Sequence, residues 1–166
     1  MPATYEKIQS TTLTSNAANV TFSSIPATYT DLHIVLYCLA TAGVGVLTRF
    51  NNDSGNNYSK TQMTTEGATS IAILQTSQSS IALSYSGLDS TTPSLLTWDI
   101  LGYAGNTLKT VLAFDAQDRN GSGSTSSYAG LWRDATAIST ITLVAGGSTY
   151  EFTPGTTASL YGILKA

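Results

Sequence analysis

The stretch RFNNDSGNNYS, Arg49 to Ser59, gathers five asparagines or aspartates around a glycine, with an arginine–phenylalanine pair before them and a tyrosine after. Residues this rich in side-chain oxygen suit three tasks: holding calcium, reading a sugar, or turning the chain between two strands. A calcium loop needs converging oxygens, and the EF-hand form adds a bidentate Glu at its twelfth position. Asp53, Gly55 and Asn57 follow the alternation, but Asp53 is the one acidic residue of the stretch. Asp and Asn tolerate left-handed conformations, and Gly adopts them without a Cβ penalty. A turn joining GVLTRFN to NYSKTQM is therefore favoured over a metal or glycan site.

DRNGSGS is the closer calcium lookalike. Asp118, Asn120 and Ser122 fall at positions one, three and five, and Asp115 stands near enough to add charge. Position twelve is Ala129, so the bidentate carboxylate is missing and a surface loop over Arg119 to Ser127 is the expectation. Catalytic groups are scarcer. His33 and Cys38 lie five residues apart in one apolar run, which puts them on opposite faces of a strand. His33 has no obvious acid partner for catalysis, and no G-x-S-x-G occurs. Cys38 reads as a small buried hydrophobe. The residues imply no catalytic group, no cofactor and no metal ion.

The segments that must position these residues have the period of strands. DLHIVLYCLA places Leu32, Ile34, Leu36 and Cys38 on one side, with His33, Val35, Tyr37 and Leu39 on the other. SLLTWDILGYA alternates Leu96, Trp98 and Ile100 against Leu95, Thr97, Asp99 and Leu101. ANVTFSSI, TSIAILQ, SIALSYS, LKTVLAFDA, SYAGLWRD, STITLVAG and ASLYGILK follow suit, with TSQSS expected as a hairpin or short connection. No βαβ alternation and no fixed-period repeat is present. The pattern predicts a single all-β domain over residues 1–166, an antiparallel jelly-roll-like β-sandwich of about ten or eleven strands.

Composition agrees with that fold and narrows the partners. Ser and Thr exceed a quarter of the chain and charge is only 10%, yet the apolar share of 42% is ordinary, so the chain folds. A net charge of −3 and seven scattered basic residues argue against nucleic acid. No apolar run has the length of a membrane span, and PATYEKIQS lacks the marks of a secretory leader. Several strands are apolar on both faces: Leu112 and Phe114 oppose Val111 and Ala113, and Tyr161 and Ile163 oppose Leu160 and Leu164. A solvated face should be polar. With few charges to discourage association, a homo-oligomer is expected. Contact hot spots favour aromatics, which makes Tyr5, Tyr37, Trp132 and Tyr161 the candidate interface residues.

The segments MPATYEKIQSTTL, ANVTFSSIPATYTDLHIVL, TRFNNDSGNNYS, AGLWRDATAISTITL and ASLYGILKA resemble a family of small structural proteins of tailed-phage particles, common in marine and cyanobacterial phages. The likeness covers both ends and the asparagine turn, and leaves out the middle from Thr64 to Gly123. It implies an N-terminal strand at TYEKI and a non-enzymatic virion component, assembled in the host cytoplasm. Within the particle it suggests a capsid decoration, or cement, protein that clamps the major capsid protein or other virion proteins as a homotrimer. A tail, baseplate or fibre-tip module contacting host glycans is the alternative. A free lectin or carbohydrate-active enzyme ranks last.

Overall fold

A computed structural model describes residues 4–41, 45–83, 87–147 and 149–164. Among these there is no helix, and so none long and apolar enough to cross a membrane. Two antiparallel sheets pack face to face as a β-sandwich. The large sheet has the order β1 (Tyr5–Thr12), β12 (Thr157–Ile163), β3 (Asp31–Cys38), β8 (Ser94–Leu101), β9 (Lys109–Asp118), β10 (Gly123–Trp132), β5 (Tyr58–Glu66) and β6 (Thr69–Gln78). The small sheet runs β2 (Asn19–Phe22), β11 (Ile141–Ala145), β4 (Val46–Phe50) and β7 (Ile81–Leu83).

The connectivity becomes simple once two hairpins, β5–β6 and β9–β10, are set aside. What remains is β1-β12-β3-β8 against β2-β11-β4-β7, and the chain changes sheet at every step except β4 to β7. That is the eight-strand jelly roll. Both hairpins add to the same edge, beyond β8, and double the width of the large sheet.

Strict alternation drives the packing. In β3 the buried positions are Leu32, Ile34, Leu36 and Cys38, and in β8 they are Ser94, Leu96, Trp98 and Ile100. They meet Phe22, Val46, Phe50, Ile141 and Leu143 of the small sheet in one core. Each fully buried Leu or Ile there contributes about 1.5–3 kcal/mol.

Three expectations are refined. The strands number twelve among the described residues; β1 adds to the count because YEKIQSTT, an exposed edge, has no apolar period. TSQSS does not close a hairpin, since β6 extends to Gln78 and β7 begins at Ile81 in the other sheet. The loop expected over Arg119 to Ser127 shrinks to four residues between β9 and β10. Gly123 makes so tight a return possible: its φ is +131°, and a Cβ there would lie 2.2 Å from the Gln117 carbonyl oxygen.

Candidate interaction surface

The asparagine-rich stretch leaves β4 in one sheet and enters β5 in the other. Asn51 and Asn52 take left-handed φ values of 51° and 58°, which Asn tolerates better than most residues. Four of its side chains, those of Asn51, Asp53, Asn57 and Tyr58, bond to protein. Asn51 Oδ1 accepts from the amides of Ser139 (2.9 Å) and Thr140 (3.1 Å), while its Nδ2 donates to the Ala137 carbonyl (2.8 Å). Asp53 Oδ1 accepts from the Gly55 amide (2.8 Å), and Oδ2 from Asn57 Nδ2 (2.9 Å) and Trp132 Nε1 (2.7 Å). The Tyr58 hydroxyl accepts from the Phe50 amide (3.0 Å) and donates to the Asp53 carbonyl (3.1 Å). Arg133 donates to the Asn56 carbonyl.

This is a clasp binding the β4–β5 crossing to the segment after β10. Burial pulls the Asp53 carboxyl up, but the hydrogen bonds from Trp132, Asn57 and Gly55 outweigh it and hold it below its ordinary value. Burial pushes the Tyr58 phenol up to about 12. Trp132, expected in the core or at an interface, lies in the core, 1% exposed. It stacks on Tyr58 with centroids 6.3 Å apart and lies 5.6 Å from Phe50, so it has no surface to offer a partner.

The second calcium lookalike does not converge either. Asp115 faces inward, where it accepts a hydrogen bond from the Tyr128 hydroxyl, while Asp118 faces outward and caps the Asn120 amide at 2.8 Å. Ser122 contributes its carbonyl to the Arg119 amide. Among the described residues no group of three or more His, Cys, Asp or Glu is placed to hold a metal.

Inside the sandwich, β5 and β10 carry a polar line. Lys60 Nζ donates to Gln62 Oε1 (2.9 Å) and the Ala82 carbonyl (2.7 Å), Gln62 to Thr64 (2.7 Å), and Thr64 to Ser126 (2.9 Å). Burial pulls the Lys60 ammonium down to about 8, against the opposing charge of Asp115.

The outer face of the large sheet is different. Strand register places Val35, Thr97, Phe114, Ser127, Met63 and Ala72 in one row across six strands. The row on one side runs Tyr37, Leu95, Ala116, Thr125, Thr65 and Ser70; the row on the other runs His33, Asp99, Leu112, Ala129, Thr61 and Leu74. Phe114 is 53% exposed, Met63 67% and Leu74 72%. A hollow of about 420 Å³ opens beside Met63, Ala72 and Phe114, and another of about 580 Å³ beside Tyr37, Leu95 and Thr125. Apart from the Tyr37 phenol, His33 and Asp99 are the titratable residues in these rows, and they pair with each other at 2.6 Å. That acid partner lies 66 positions from His33, beyond the reach of local sequence reading.

Of the remaining expected contact residues, Tyr37 (47% exposed) sits on this face. Tyr5 (53% exposed) and the partly buried Tyr161 form an aromatic cluster with His33 at its margin, with centroids 5.8 to 6.5 Å apart. The structure thus keeps three of the four aromatics at the surface. Met63 and Leu74 are surface residues that the sequence did not single out. Set against protein-family models, curated proteins and solved structures, the chain matches none.

Proposed function

We propose that the protein is a non-enzymatic structural component of a tailed-bacteriophage virion, and within it a decoration protein of the head. The reading rests on the resemblance of its motifs. One observation favours it most: two separate motifs, Arg49 to Ser59 and Gly130 to Arg133, meet in one clasp whose asparagine, aspartate and tryptophan side chains are spent on holding the fold. Residues used in this way suit a family defined by architecture rather than by a reaction. A cement protein acts by adding buried area across subunit boundaries, about 800 Å² per partner, repeated over a lattice. A homotrimer seated on the major capsid protein is the arrangement this reading carries.

The alternative, a tail or fibre-tip module contacting glycans, draws on the Tyr5–Tyr161–His33 cluster, which offers ring surface beside the polar groups of Asp99. Antibody labelling of purified virions, with copies counted by quantitative mass spectrometry, separates the two. Label spread over the head in proportion to the major capsid protein supports the decoration role. Label confined to the tail overturns it in favour of the module, and label on neither overturns both.

A further inference from the structure

We infer that the outer face of the large sheet, from β3 to β6, is buried against a second copy of this chain. The face is broad enough. Six strands about 4.8 Å apart and about seven residues long at about 3.4 Å each span roughly 24 by 24 Å, before side-chain relief is added. That approaches the area of about 800 Å² per partner that a stable interface buries. Exposed apolar side chains recur across it: Tyr37, Leu95, Leu112, Phe114, Met63 and Leu74. A sheet face left to water should alternate to polar residues, and large exposed apolar side chains gathered on one face mark a contact site.

The chemistry of the face selects the occupant. The three rows contain no Lys, Arg or Glu, and their one carboxylate, Asp99, is already paired with His33. Within those rows a charged partner would find no unpaired charge to answer it and a second copy none to repel it; Asp31 and Asp118 face outward only at the strand ends, on the margin of the face. The polar groups interspersed with the apolar ones are almost all hydroxyls: Thr97, Ser127, Thr125, Thr65, Thr61 and Ser70. A hydroxyl both donates and accepts, so it can pair with another hydroxyl. Apolar and hydroxyl groups are the two kinds that complement themselves, and this face is built of them. The hollows beside Phe114 and Tyr37 give large side chains of the neighbouring copy a place to enter.

The inference concerns the isolated chain, so it stands or falls separately from where a virion carries the protein. The test is the mass of the purified protein at micromolar concentration, by native mass spectrometry and light scattering. Wild type is compared with Phe114→Glu and Met63→Glu, and with Asn106→Glu in an exposed loop away from the face. All three substituted positions are solvent-facing in the single chain, and near-ultraviolet circular dichroism confirms that each variant folds.

We expect an oligomer for wild type and Asn106→Glu. Phe114→Glu and Met63→Glu should each weaken it on the order of a hundredfold, because each buries a carboxylate without a partner. A monomeric wild type overturns the inference and leaves the face to a different virion protein. An oligomer that both face variants leave intact overturns it too, by placing the contact elsewhere.

Discussion

Each oxygen of the Asp53 carboxylate has a donor, and one of those donors is the indole of a tryptophan that is otherwise closed off from water. Replacing Asp53 with Ala removes the acceptor for Trp132 Nε1 together with those for Asn57 and Gly55. A buried donor left unpaired costs about 1–3 kcal/mol, and hydrogen bonds to a charged group lie at the upper end. Asp53→Ala should therefore lower stability by about 2–3 kcal/mol, read from the shift of the urea midpoint. The effect should depend on pH. Because the folded carboxyl titrates below its ordinary value, the stability supplied by its ionised form is complete above that ordinary value and is lost as pH falls through the lower folded one. The gap between wild type and variant should hold at neutral pH and narrow in acid; a gap unchanged down to about pH 2 would show that the charge has no part in it. At this scale the sequence was half legible. Five asparagines or aspartates around a glycine state a turn, whereas the partner that makes the turn a clasp lies 79 positions further on.

Strand β12 occupies the place between β1 and β3 in the large sheet, and its inward position Gly162 lies under the ring of Tyr29. A Cβ at residue 162 would come within 2.2 to 2.4 Å of that ring, which is too close for any rotamer to absorb without moving the Tyr29 loop. Gly162→Ala should destabilise by about 1–3 kcal/mol, the usual cost of overpacking. Thermal unfolding measures it, and a variant as stable as wild type would mean that the Tyr29 loop yields freely. The strands themselves were read well from period two wherever one face is buried, as in DLHIVLYC and KTVLAFDAQD. Strand β1 escaped the period because it is an edge with almost no buried face. Which sheet a strand joins was not legible. The same short polar segments, TSQSS and NNDSGNN, serve equally as hairpin turns or as crossings between sheets, and only the pairing partners decide.

The two added hairpins extend the core through Tyr58, Val111, Ala113, Tyr128 and Trp132, and their other faces build much of the outer surface. They supply Leu112, Phe114, Met63 and Leu74, the larger part of the apolar outer surface, while the inner positions near their far ends turn polar at Asp115, Gln117, Ser126 and Thr64. Two-sided apolarity in β3 and β9 was visible in the sequence, but its extension over six strands needed the register, which sets residues from 35 to 127 in one row. An assembly held by such a face has a salt response unlike one held by charge. Ion pairs exposed at a rim weaken as the Debye length shortens from about 14 Å to about 4 Å between 50 and 500 mM salt. Apolar burial does not, and sulfate, being excluded from protein surface, strengthens it. The oligomer should keep its dissociation constant within about threefold across that range of sodium chloride and tighten in sodium sulfate at equal ionic strength. Sedimentation at a series of dilutions measures both. Dissociation by sodium chloride would mean that the copies meet through Lys7, Asp31 and the charged margin of the sheet rather than through its apolar centre.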